Sequence, residues 1–180
     1  LAGGSMNHHE MIDLRANVAR EQISLRAFLA QAKLRIDLAA LTPLARWVTP
    51  TAEARRFDAR FFVAMAPAGQ NGAHDESETM ASFWATPEDL LHRFSKGEVA
   101  LAPPTHRTVE GLLAFRTAAE AIAAAKDACL APICPTLVRQ GETLALTLPG
   151  DPEHPVKEMR IAGKSRYVLR GEQWLPENAP

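Results

Sequence analysis

Arg55, Arg56, Asp58 and Arg60 stand together in the stretch RRFDARFF, and HDESE, a little further on, sets Asp75, Glu76 and Glu78 close to one another. A guanidinium is planar and can grip phosphate oxygens two at a time, which an ammonium does not match. Carboxylates this close repel, and one or more pKa values rise unless a hard cation such as magnesium or manganese, or a neighbouring arginine, compensates. One reading is therefore a phosphate groove lined by the three arginines beside a cation-holding loop. The plainer reading is that Asp58 and Arg60 pair on one face at a sheet rim, with Arg55 and Arg56 solvated and the acids an ordinary surface cluster. Spacing alone leaves both open.

The elements that must position these groups are legible in the pattern. Phe57 to Met65 alternates as a strand, with Phe57, Ala59, Phe61 and Val63 on an apolar face and Asp58, Arg60 and Phe62 opposite. Pro43 and Pro50 bound another strand-length run, Leu44 to Val48, and Thr79 to Trp84 reads as a third. Asp13 to Leu34 is helical in pattern. Ser24 is a candidate cap for a helix whose Leu25, Phe28, Leu29 and Ala32 face a sheet. Thr86-Pro87-Glu88-Asp89 is a helix start that carries Leu90, Leu91 and Phe94 and stops near Gly97. A further helix from Thr105 continues into the alanine-rich AAEAIAAAKDA. From 136 to 176 the texture becomes two successive hairpins joined by Gly-Glu and Gly-Lys turns, at Gly141-Glu142 and Gly163-Lys164. Interleaved strands and helices predict a mixed α/β (α+β) domain, and the phosphate loops GxGxxG and GxxxxGK[ST] are missing, against a Rossmann or P-loop fold.

The 180 residues suffice for one core, and a formal net charge of −1 with interspersed signs excludes the basic footprint of a nucleic-acid or anionic-membrane binder. Cys129 and Cys134 have no second Cys or His pair at zinc spacing, so they are expected to be reduced, partly buried thiols in a cytoplasmic protein. No apolar run approaches the roughly 18 residues of a membrane helix. Residues 1–12 read as a flexible start or tag remnant with His8 and His9 solvated, and 13–180 as the domain. His92 is expected to be exposed, and His106, beside a helix start, neutral and structural. The tryptophans Trp47, Trp84 and Trp174 are expected at the core or its rim.

The ordered pieces WVTP, RRFDARFF, the Gln70 turn, the acid-rich loop, Trp84 followed by Pro87 and a helix, and APPTHRT resemble the second half of Nudix hydrolases, in the branch related to coenzyme A diphosphatases. LPGDPEHP and SRYVLRGEQW extend the likeness, so that it covers about residues 13 to 176. The resemblance implies an α/β/α sandwich with a mixed sheet, and hydrolysis of a nucleoside diphosphate linked to another group, CoA-like or nucleotide. It also implies magnesium or manganese, with water attacking phosphorus. The family's metal-binding signature, G-x5-E-x7-R-E-U-x-E-E-x-G-U, has no match in the chain: Arg20-Glu21 has the Arg-Glu pair without the other acids. The resemblance places that signature ahead of Leu1, so the expectation is a Nudix domain incomplete at its N-terminus.

Glu78, six residues before Trp84, matches a family position that activates water or binds metal, with Asp75 and Glu76 as weaker metal candidates. Arg55, Arg56 and Arg60 become the substrate-binding candidates. The alternative is a catalytically inactive module that binds a ligand or partner, and an uncovered sheet would favour a homo-oligomer or a complementing N-terminal segment.

Overall fold

A computed structural model of the chain describes residues 8–67 and 82–180. The chain divides into two compact units, Leu1–Leu41 and Thr42–Pro180.

In the first unit the helical pattern is split in two. Helix α1 covers His8–Ala19 and α2 covers Leu25–Gln31. Between them Glu21 takes a φ of 56°, and Ser24 restarts the helix by accepting the Ala27 N–H at 3.1 Å. A cap thus sits in the middle of the predicted span. No residue of α2 is buried. His9, expected in a solvated loop, lies in α1, exposed, with Nε2 3.8 Å from Asp13 one turn on.

The second unit begins with strand β1 (Thr42–Val48), which pairs antiparallel with β2 (Asp58–Val63) around a bulge at Pro43/Ala45. Ser82 to Thr86 has no regular structure, so the described end of the predicted third strand is irregular, and Trp84 is 75% exposed rather than a core or rim aromatic. Helix α3 (Pro87–Ser95) starts as its sequence dictates, with Thr86 Oγ1 accepting the Asp89 N–H at 3.1 Å, and the chain turns out of it at Gly97, φ 73°.

Helix α4 runs from Pro103 to Leu112 and α5 from Ala118 to Ala125, where the sequence pattern suggested one continuous helix. Thr117 explains the break, because its hydroxyl accepts the Glu120 N–H at 3.2 Å while the Glu120 carboxylate accepts the Arg116 N–H at 2.9 Å.

Strands β3 (Thr136–Gln140), β4 (Thr143–Thr147), β5 (Arg166–Arg170) and β6 (Gln173–Glu177) form an antiparallel sheet in that order. Two hairpins are present, the first at the expected Gly141-Glu142 turn. Gly141 and Gly171, each at φ 61°, supply the positive φ that a two-residue hairpin loop needs at its first position. The second hairpin turns at Gly171 and not at Gly163.

Both sheets among the described residues are antiparallel, and a parallel bridge joins Trp47 to Ile133, with Val48 N–H to Ile133 O at 2.9 Å and Ile133 N–H to Arg46 O at 2.8 Å. The class is mixed α+β, as the pattern predicted. The core gathers around that bridge: Ala45, Trp47, Ile133, Leu148 and Tyr167 are buried, with Phe61, Leu146, Ile161 and Trp174 packed on them. Burying side chains from β1, β2 and the four-stranded sheet together fixes the β1–β2 ladder, and with it the arginine segment.

Candidate functional site

The predicted alternation holds only in the second half of β2, since Phe57 and Ala59, expected on the covered apolar face, are both exposed. Phe61 and Val63 are half-buried, and Asp58, Arg60 and Phe62 are exposed. The ladder brings in a residue that the linear pattern hid. Arg46 is the direct cross-strand neighbour of Arg60, and Val48 that of Asp58. Arg46 reaches diagonally to Asp58, donating from Nε to Oδ1 at 2.9 Å and from Nη2 to Oδ2 at 2.8 Å.

The same-face pair expected between Asp58 and Arg60 is therefore an Arg46–Asp58 fork. The hydrogen bonds from Arg46 hold the Asp58 carboxyl below the usual carboxylate range, and Arg60 adds a smaller push in the same direction. The Arg60 guanidinium makes no hydrogen bond among the described residues. Two like charges directly opposite on a ladder repel. Only one of the pair is matched by a carboxylate.

Arg55 and Arg56 lie just ahead of β2, both exposed. The Arg55 guanidinium stands 5.0 Å over the Phe57 ring. Arg56 donates from Nε to the Thr49 carbonyl at 3.0 Å, with Nη2 3.9 Å from Cys134 Sγ. Thr49 is the organiser: its Oγ1 accepts the Phe57 N–H at 2.9 Å, and its backbone N–H donates to the Phe57 carbonyl at 3.0 Å. Across from it, His154 accepts the Val156 N–H on Nδ1 at 3.0 Å and so donates from Nε2 to the Cys134 carbonyl at 2.9 Å. Arg56 is thus anchored at Nε and weakly at Nη2, with no carboxylate as partner among the described residues.

Taken together, the start of β2 and its cross-strand neighbour carry four guanidiniums, Arg46, Arg55, Arg56 and Arg60, and among the described residues Asp58 is the single carboxylate bonded to any of them. This surplus of exposed guanidinium suits an anion that accepts several N–H bonds at once, such as a phosphate or diphosphate.

Asp75, Glu76 and Glu78, and with them His74, lie outside the described residues. Among the described residues no three His, Cys, Asp or Glu side chains come together in a way that could hold a metal ion. The described part of the chain therefore does not supply a magnesium or manganese site.

Other candidates resolve as structural. His92 is exposed. His106 is buried, 4.6 Å from the Phe94 ring, with Nδ1 2.9 Å from the Tyr167 hydroxyl, and burial pushes its pKa below the usual imidazole value, so it is neutral as expected. Cys129 is exposed and Cys134 half-buried, both free thiols. No helix among the described residues is long and apolar enough to cross a membrane.

Residues 2–112 match the model of the NUDT19 Nudix domain, a span that contains β1, β2 and all three predicted arginines. The chain belongs to this Nudix domain family. The acyl-coenzyme A diphosphatase NUDT19 of Gallus gallus is 26% identical over 149 residues, which are 78% of this chain and 39% of the relative. The chain thus spans well under half the length of that curated relative. No solved structure matches it. Within the matched span sequence reading missed Arg46, and the signal that could have found it is its place opposite Arg60 in a hairpin-like pairing of the WVTP and RRFDARFF strands.

Proposed function

We propose that the chain serves a Nudix-type hydrolase of a CoA-like or nucleotide diphosphate, in which Arg55, Arg56 and Arg60 bind the diphosphate. The observation that carries the reading is the arginine surplus on the β1–β2 ladder inside the matched Nudix span: an exposed like-charge pair with one carboxylate between them gains most from an anionic ligand. The reaction adds water across a phosphoanhydride. The water oxygen bonds to one phosphorus, the bond from that phosphorus to the bridging oxygen breaks, and each product leaves with its own phosphate.

The resemblance assigns the activation of water or metal to Glu78, with Asp75 and Glu76 as further oxygen donors and magnesium or manganese as the cation. The name of the chicken relative favours an acyl-coenzyme A as substrate over a dinucleotide. Two free thiols suit a reducing compartment such as the cytoplasm.

The test is incubation with magnesium and CoA, an acyl-CoA, ADP-ribose or a dinucleotide. Turnover that EDTA abolishes and Glu78→Gln removes supports the hydrolase. Saturable binding without turnover supports an inactive ligand-binding module. Replacing Arg55 and Arg56 with alanine weakens diphosphate binding by more than about tenfold if these are charge-assisted contacts, and unchanged affinity refutes their assignment.

A further inference from the structure

Asp58 divides the arginine cluster. It stands between Arg56 and Arg60, two residues from each, and its carboxylate reaches across the ladder to Arg46. The fork is bidentate, at 2.9 and 2.8 Å, which is the geometry in which a guanidinium also takes a phosphate. Asp58 thus fills on Arg46 the place that a phosphate group would fill. With side chains 39% and 41% exposed, both partners of the fork are open to a ligand.

Arg60 lies directly opposite Arg46 on the same face of the ladder. Asp58 is ionised at neutral pH, because the bonds from Arg46 hold its carboxyl below the usual carboxylate range. One fixed carboxylate therefore leaves three guanidiniums without a carboxylate partner among the described residues. Arg55 rests against the Phe57 ring, Arg56 is tethered by the Thr49 carbonyl and weakly by Cys134 Sγ, and the Arg60 guanidinium is not hydrogen-bonded. These can meet the charge of a diphosphate. A third phosphate finds no fourth free guanidinium and lies beside a carboxylate, and like charges that close repel.

We propose, on the reading that Arg55, Arg56 and Arg60 take a diphosphate, that Asp58 is a specificity-determining residue: by occupying Arg46 it restricts the site to diphosphates and turns away triphosphates. The fork is the selecting element, since the same carboxylate withholds one cation and supplies one repulsive charge.

The intact chain is titrated calorimetrically with inorganic diphosphate and with tripolyphosphate, in metal-free buffer at one ionic strength. The unsubstituted chain is expected to bind diphosphate saturably and tripolyphosphate no more tightly. Asp58→Asn is expected to strengthen tripolyphosphate by about fivefold more than diphosphate, the value of one charge-assisted bond discounted for solvent screening. Adding Arg46→Ala to Asp58→Asn is expected to return the ratio to that of the unsubstituted chain, because the released guanidinium is then gone.

Preference of the unsubstituted chain for tripolyphosphate, as an undivided cationic patch would show, overturns the proposal and needs no variant. So does a ratio that Asp58→Asn leaves unchanged, or one that stays altered when Arg46 is removed. Diphosphate binding that is absent, or that Arg55→Ala with Arg56→Ala does not weaken, overturns both this role and the diphosphate reading beneath it. Binding that the arginine pair weakens, with a ratio indifferent to Asp58→Asn, overturns the role of Asp58 alone.

Discussion

Asp151→Asn is the substitution whose effect follows most directly from the structure. Asp151 is 0% exposed and Arg166 2% exposed, and they meet in a fork, Nε to Oδ2 at 2.9 Å and Nη2 to Oδ1 at 2.7 Å. Asp151 also accepts from Ser165 Oγ at 2.6 Å and from the Glu153 N–H at 2.9 Å, so all its bonds come from donors. Desolvation alone would raise its pKa, but the bonds from Arg166, Ser165 and the Glu153 backbone outweigh it and hold the carboxyl below the usual range.

An asparagine of the same shape turns an NH2 group toward those donors and leaves the Arg166 cation buried. Removing one partner of a buried pair costs about 3–5 kcal/mol. Glu153, 2.8 Å from Arg166 Nη1 but 41% exposed, compensates in part, which favours the lower end. At roughly 3 °C per kcal/mol for a unit of this size, the melting midpoint should fall by about 10 °C.

The assay is thermal unfolding by circular dichroism at neutral pH, with Asp58→Asn as the exposed control. A folded-state carboxyl pKa below its unfolded value contributes stability that is fully present above the unfolded pKa, about 4, and is lost as pH falls through the folded one. Asp151→Asn should accordingly flatten the acid limb as well. A midpoint within a degree or two of the control, or an unaltered acid limb, refutes the reasoning.

Burial holds the folded His106 pKa below its unfolded value, so the unfolded chain takes up the proton first and stability falls as pH drops from about 6.5 toward the folded pKa. His106→Phe should reduce that slope in urea titrations run at pH 7 and pH 5.5. Gly163 sits at φ 110°, and a Cβ there would overlap the Arg107 guanidinium, so Gly163→Ala should lose roughly 1–3 kcal/mol by urea unfolding. Thr117→Ala removes the hydroxyl that restarts the chain as α5 and should cost about 1 kcal/mol by the same measure.

What the sequence made legible was local. The caps at Ser24 and Thr86, the second half of the β2 alternation and the hairpin with Gly141 all rest on interactions within a few residues of each other, which spacing encodes. The break between α4 and α5 was equally local, since Thr117 and Glu120 stand three apart, but the alanine run argued the other way. Arg46, Asp151 with Arg166, and His106 with Tyr167 join positions 12, 15 and 61 residues apart. No periodicity carries such pairings. They follow from strand register and from which face of a helix meets the sheet. The aspartate of the opening motif shows the difference: its partner is across the ladder, not two residues along.

Register also separates the arginines by role. Arg107 and Arg166 are buried, and each has its charge met within the fold: Arg107 by Glu110 and the Lys164 carbonyl, Arg166 by Asp151 and Glu153. A guanidinium committed in this way cannot turn to a ligand without leaving a carboxylate buried and unpaired, which is the costly outcome. Arg60 has no such commitment. Arg56 is tethered by the Thr49 carbonyl at Nε and weakly by Cys134 Sγ at Nη2, which orients its fork without meeting its charge. Preorganised and electrically unbalanced is the state in which a cation gains from a phosphate, because side-chain ordering is partly complete before the ligand arrives. Arg56→Lys should therefore recover little of the diphosphate affinity lost in Arg56→Ala. A lysine would keep the charge but neither the Thr49 tether nor the planar fork, and full recovery would show that charge alone, not the geometry at Thr49, holds the ligand.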